Sequence, residues 1–149
     1  MGTLRHIFIA PAKGAAIVEL AEVEALADRG LRGDRYAEDA NRESPESQVT
    51  LIESEALEAF TRETGKPMAP ADPRRNLVTR GVRLDALAGR RFTIGQAELE
   101  GLELCEPCGT FAQRTHPEVE RDLAGGGGLR CRVVRGGTMR VGDAIAAIP

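Results

Sequence analysis

Arg90-Arg91-Phe92-Thr93-Ile94-Gly95-Gln96-Ala97-Glu98-Leu99-Glu100-Gly101-Leu102-Glu103-Leu104 reads as two short strands, Arg90 to Ile94 and Ala97 to Leu104, folded about a Gly-Gln turn. Glycine at the turn supplies a backbone conformation that other residues adopt at a cost. The pattern continues on both sides of this stretch. Strand-like runs cover Asn76 to Thr79, Leu129 to Arg135 and Ala144 to Ile148, with turns at Gly81, Gly89, Gly136-Gly137 and Gly142-Asp143, the last read as a hairpin turn. Many short strands at this spacing predict a mainly β fold, a β-barrel with one or two helices packed outside it.

The first half is more mixed. His6 to Pro11 is a short apolar strand stopped by proline, and Gln48 to Ile52 is another. Ala15 to Ala27 carries helix-forming alanines and glutamates beside Ile17, Val18 and Val23, and strand is the preferred reading. Gly30 to Tyr36 is a loop with two glycines around charged residues, and Ala37 to Ser47 is a polar surface loop. Glu53 opens the clearest helix: Ser54 is a candidate N-cap, Ala56, Leu57 and Phe60 form its apolar stripe, and Gly65 stops it. Pro67, Pro70 and Pro73 then force an extended connection. Phe111 to Ala124 is a helical segment interrupted by His116-Pro117, followed by the linker Gly125 to Gly128.

At 149 residues, 42% hydrophobic and 29% charged, the chain has the size and composition of one soluble domain, taken as residues 1–149. No run approaches the roughly 18 apolar residues of a membrane span, and the first ten residues lack a signal-peptide layout. The expectation is a cytoplasmic protein that does not bind membranes. Three cysteines, an odd number, do not make a disulfide framework.

The net charge of −3 conceals an asymmetry. Glu19 to Glu63 holds 13 acidic and 5 basic residues, whereas Arg74 to Gly95 holds six arginines against Asp85 alone. Six more arginines lie between Arg114 and Arg140, facing three acids. Arginine's planar fork matches phosphate and carboxylate, so a small anionic ligand suits the second half. With only Lys13 and Lys66 as lysines, arginine is also simply this chain's basic residue. Nucleic acid is a poor candidate partner, because the overall charge is negative and aromatics are only 3%. Gly125 to Gly128 lacks the Lys-Ser/Thr of a phosphate-binding P-loop, and no G-x-G-x-x-G opens a helix.

Cys105-Glu106-Pro107-Cys108-Gly109 holds the chemistry-bearing residues. Proline and glycine flank Cys108 and favour a turn that presents its side chain. Three chemistries compete. Structural zinc would need Cys105, Cys108, Cys131 and His116 to gather, but there is no second Cys-x-x-Cys and Cys131 lies in a core-like strand. Disulfide exchange usually places Cys-x-x-Cys at a helix start beside a βαβ unit, which these β surroundings do not supply. A single reactive thiolate, carrying sulfur or binding a soft metal, is the third. Both cysteines packed as small hydrophobes is the plainer alternative.

The third reading gains from a resemblance. Gly30-Leu31-Arg32-Gly33-Asp34-Arg35, Gln48 to Ile52, Arg75-Asn76-Leu77-Val78-Thr79-Arg80-Gly81-Val82, Leu87 to Gly95, Pro107-Cys108, Gly136-Gly137 and Val141-Gly142-Asp143 occur in that order. The series resembles the MOSC domain, named for the C-terminal domain of molybdenum-cofactor sulfurases, over about residues 30–145. The resemblance implies a barrel similar to that of pyruvate kinase. It makes Cys108 the catalytic residue and the metal ligand, through persulfide carriage or ligation of molybdenum in a molybdopterin-type cofactor. Cys105 is outside the general family pattern and is carried as a cofactor-binding neighbour. Arg32, Asp34, Arg35, Arg75, Asn76 and Arg80, with Arg130 or Arg132, are the candidates to surround the cofactor's phosphate and pterin. Asp34 reads equally well as a turn residue.

Implied partners are a cysteine desulfurase for sulfur supply, or an electron-transfer protein if the chain reduces N-hydroxylated compounds. A non-catalytic binding barrel is the alternative from another class. Its support is Tyr36, which stands where the first motif commonly ends in histidine and, with a phenol pKa near 10, cannot shuttle protons at neutral pH.

Overall fold

The computed structural model describes residues 2–12, 14–38, 48–104 and 128–148. Eleven strands and two α-helices are formed within them: β1 Gly2–Ile9, β2 Val18–Leu20, β3 Glu22–Leu26, β4 Gly30–Leu31, α1 Arg35–Glu38, β5 Val49–Glu53, α2 Ser54–Thr64, β6 Leu77–Arg80, β7 Arg91–Ile94, β8 Ala97–Leu104, β9 Leu129–Arg135, β10 Gly137–Arg140 and β11 Ala144–Ala147. A single 3-10 turn, Leu84–Leu87, joins β6 to β7.

Seven strands close into a barrel. The order β11-β7-β8-β9-β5-β6-β1 is completed by pairing of β1 back onto β11, and β2 adds to the outer half of β1. The β7–β8 hairpin forms as the sequence dictates, with Ile94 opposite Ala97 across Gly95-Gln96. Burial alternates along the strands: Ala97, Leu99 and Gly101 of β8, and Leu129, Cys131 and Val133 of β9, are all buried. With Leu4, Ile7, Val49, Leu51, Leu77, Phe92 and Ile94 they fill the barrel. Alternation of this kind places one face of each strand inside.

The pairing of β5 with β6 is parallel, Leu51 opposite Leu77. Parallel neighbours need a long crossover, and α2 with the proline-rich connection supplies it. Because that crossover covers the barrel wall, β5 and β6 are apolar on both faces. Ile52 and Val78 point away from the barrel and pack with Phe8, Leu57, Phe60 and Met68 in a second core. Burying an aromatic such as Phe60 contributes about 2–3 kcal/mol from apolar area alone. Gly65 ends the helix with φ 73°, its N–H donating to the Thr61 carbonyl at 2.8 Å.

Several details differ from the sequence reading. The stretch read as a loop from Gly30 to Tyr36 opens with strand β4, which pairs with β3, and ends in helix α1, which also takes in Ala37 and Glu38. Glu53, not Ser54, holds the N-cap position, and no side chain caps the helix. The Glu53 carboxylate instead accepts from the Leu84 backbone N–H at 3.0 Å, because the 3-10 turn packs beside the strand end. Gly137–Arg140 is a strand, hidden in the sequence by its flanking glycines, which pairs with β3 in a second sheet of order β10-β3-β4. Val23, Ala25, Leu31 and Met139 of that sheet join the barrel core.

It follows that Gly142-Asp143 is not a hairpin, since β10 and β11 belong to different sheets. It is a corner. Asp143 accepts the Arg140 N–H through its carboxylate at 2.8 Å, and its carbonyl accepts the Leu4 N–H at 2.9 Å. The predicted helical segment Phe111 to Ala124 and the cysteines at 105 and 108 lie outside the described residues.

Candidate functional site

Because β1 runs antiparallel to β6, with Ile7 opposite Leu77, the end of β1 and the start of β6 share one end of the barrel. Four of the candidate residues come to this end. The Gly33 to Arg35 turn is clipped to Ala10: the Asp34 carboxylate accepts the Ala10 N–H at 2.9 Å, and the Arg35 N–H donates to the Ala10 carbonyl at 2.8 Å. Asp34 is 2% exposed, so its carboxylate holds the loop in place.

Asn76 works in the same way at the head of β6. Its Oδ1 accepts from the Thr50 N–H at 3.0 Å and the Thr50 hydroxyl at 3.2 Å. Its Nδ2 donates to the Phe8 carbonyl at 3.1 Å. One side chain thus ties β6 to both β5 and β1, where the regular ladders stop. Arg75, just before it, is half-buried.

The segment containing Cys105 and Cys108 is joined to the barrel at Leu104 and Gly128, and Leu104 lies opposite Leu129. Gly128 has φ 120°, and a Cβ there would run into the Leu51 carbonyl oxygen, so no other residue fits. That hypothetical Cβ would also lie 3.6 Å from Nε of Arg75. The Arg75 guanidinium thus lies against Gly128, one root of that segment.

The other candidates are directed elsewhere. Arg32 is exposed and pairs with Glu24 at 2.8 Å. Arg80 lies at the far end of β6, about 16 Å along the chain from Arg75 at the strand rise per residue. There it donates to Glu58 at 2.7 Å and to Ser54 at 3.2 Å on α2. Hydrogen bonding to Glu58 is the main cause holding the Arg80 guanidinium more firmly protonated than usual. Arg130 pairs with Glu103 at 3.8 Å, and Arg132 bonds Glu100 at 2.7 Å and Asp28 at 3.2 Å. Cys131 is fully buried inside the barrel. The side chain of Tyr36, like Cys105 and Cys108, lies outside the described residues.

One residue that composition did not single out is Gln48. It is 4% exposed, and its Oε1 accepts the Val133 N–H at 2.8 Å, fastening β9 to the head of β5. Its signal is positional: a lone amide opening an apolar strand. Glu53, at the other end of β5, has its carboxyl pulled up from 4.5, first by burial, against the lowering effect of the Leu84 N–H and Arg83.

The MOSC domain model matches residues 38–146. The chain belongs to the MOSC family. Solved structures share the MOSC chain's architecture at low sequence identity. The YuaD protein of Bacillus subtilis superposes with a TM-score of 0.81 at 20% identity, over 97% of this chain and 94% of that one. YiiM from Geobacillus stearothermophilus gives 0.78 at 16% identity, over 100% and 76%. YiiM from Escherichia coli gives 0.71 at 18% identity, over 99% and 70%. No curated protein sequence matches. At such identities the structural likeness establishes the MOSC fold. No helix among the described residues is long and apolar enough to cross a membrane.

Proposed function

We propose that this MOSC protein acts through the thiolate of Cys108, binding a molybdenum–pterin cofactor or carrying sulfur as a persulfide. The observation that supports it is Arg75 lying against Gly128, a root of the segment that bears the Pro-Cys turn. A guanidinium there favours a thiolate and offers a fork to phosphate.

The donor set suits such a cofactor. Arg35 and Arg75 come to the same barrel end. A metal carried on a phosphate-bearing organic ligand needs only one protein thiolate and cations for the phosphate. Arg75 and Arg35 would hold the phosphate and Cys108 the metal, while Asp34 and Asn76 fix the backbone around them. When bound, the group supplies two-electron redox chemistry. As a sulfur carrier, the Cys108 thiolate attacks the outer sulfur of a desulfurase persulfide. A new S–S bond forms, the old one breaks, and the donor leaves as its own thiolate. Cys105 is the nearby thiol that would resolve this persulfide. Both chemistries need Cys108 as a reduced thiol, which a cytoplasmic location would favour.

The test is expression in a host that makes the cofactor, with molybdenum and pterin measured by mass spectrometry. In parallel, intact mass is recorded after incubation with a cysteine desulfurase. Expected is either bound molybdenum and pterin or a reducible gain of about 32 Da, one sulfur on a thiolate, with both lost in Cys108→Ser. Finding neither in the parent protein refutes the proposal. If cofactor is retained, turnover of a hydroxylamine or amidoxime with a separate electron donor tests the reductase form. Tyr36 in the first motif favours a second reading, a barrel that binds without catalysis. A Cys108→Ser protein that supports cells as the parent does would select that reading.

A further inference from the structure

β1 carries an irregularity in its pairing with β6. Leu4 pairs with Thr79 and His6 with Val78, which leaves Arg5 as an extra residue. Such a bulge re-aims side chains. In a regular strand Arg5 and His6 would face opposite sides. Here Leu4 and Ile7 are both fully buried, while Arg5 and His6 together line a cleft against α2. The cleft has a volume of about 550 Å³, within the size range of small-molecule sites.

Its charge is unbalanced. Arg5 from β1 and Arg62 from α2 form no hydrogen bond or ion pair with the described residues. Arg80 is matched by Glu58, the one acid among the lining residues. His6 is held at Nδ1 by Glu19 at 2.8 Å and stacks on Phe8 at 5.8 Å, so its ring is fixed in orientation. Nε2 has no partner among the described residues. Leu57 and Met68 supply apolar wall, 4% and 9% exposed.

The geometry points to a second binding site in this cleft, for a small amphiphilic carboxylate. The anionic head is taken by the forks of Arg5 and Arg62, and the apolar body lies on Leu57 and Met68. Planar guanidinium groups match a carboxylate in bidentate fashion, and the bulge presents Arg5 for that purpose. A bare inorganic anion would leave the apolar wall uncovered. Of the cofactor candidates read from the sequence, Arg80 alone lines the cleft, where Glu58 matches it, and none of the residues proposed to act with Cys108 does.

The experiment titrates the full chain with octanoate, octanol and inorganic phosphate, read by calorimetry and amide NMR. Octanoate is expected to saturate and to shift His6, Thr61 and Arg62, with the other two probes at least about ten-fold weaker. Arg5→Ala/Arg62→Ala should lose about ten-fold in octanoate affinity at unchanged melting temperature, since both side chains are exposed and have no partner among the described residues. Cys108→Ser should bind octanoate as the parent does. No saturable octanoate binding would overturn the proposal. So would octanol or phosphate binding as tightly, or a folded double variant with unchanged affinity.

Discussion

Asn76 shows how one side chain can carry a motif for structural reasons. It satisfies the Thr50 N–H and the Phe8 carbonyl at the point where the β5–β6 and β1–β6 ladders run out. Asn76→Ala leaves both without partners, and a loss of about 2–4 kcal/mol in urea denaturation is expected. A residue that only bound ligand would show no such loss. Asp34→Ala strips the Ala10 N–H of its acceptor and is expected to cost about 1–3 kcal/mol, whereas Asp34→Asn retains an oxygen there and should cost less. Both positions stand out in the sequence because the motif series contains them. Of their partners Thr50 lies in the same series, but Phe8 is brought to Asn76 only by the pairing of β1 with β6, and Ala10 meets Asp34 only where the loops after β1 and β4 come together.

At the scale of the element, α2 is the crossover that allows β5 and β6 to lie parallel. Phe60 is fully buried beneath it, so Phe60→Ala should cost about 3–5 kcal/mol of stability in a thermal or denaturant melt. The helix start carries a pH dependence through Glu53. A carboxyl that holds its proton more tightly in the fold than in the unfolded chain adds stability at low pH. That gain is complete below the ordinary value of 4.5 and is lost as pH rises through the raised one. Glu53→Gln retains an acceptor for the Leu84 N–H without the buried charge. The variant should therefore gain on the parent as pH rises from about 4 to about 7, measured as the difference in denaturation midpoints.

Elements with strong local signals were readable in the sequence. The β7–β8 hairpin has its turn written between its strands, and α2 has its stripe and its glycine stop. Strand β10 was not readable. Its four residues lie between glycines, and what makes them a strand is their partner β3, more than a hundred residues earlier in the chain. The cleft was unreadable for the same reason. Arg5 and Arg62 share it only because a bulge and a crossover helix meet on one face of the barrel.

The whole molecule is a ring closed by a narrow clasp. Two residue pairs join β1 to β11, Gly2 with Ile145 and Thr3 with Ala144, continued by Leu4, which bonds the Asp143 carbonyl and the Gly142 N–H, and they bring together opposite ends of the described chain. Contacts so distant in sequence require the largest loop to close, and the hairpins and the β5–α2–β6 unit form without them. Ile145→Val, at a position 2% exposed, is expected to cost about 1 kcal/mol, almost all of it as faster unfolding with the folding rate barely changed. On the ribosome the consequence is one of timing. Until residues 144 and 145 have emerged, part of the inner edge of β1 has no strand to pair with and the apolar lumen stays open to solvent. During that interval the nascent chain is exposed to chaperones, proteases and other unclosed copies of itself.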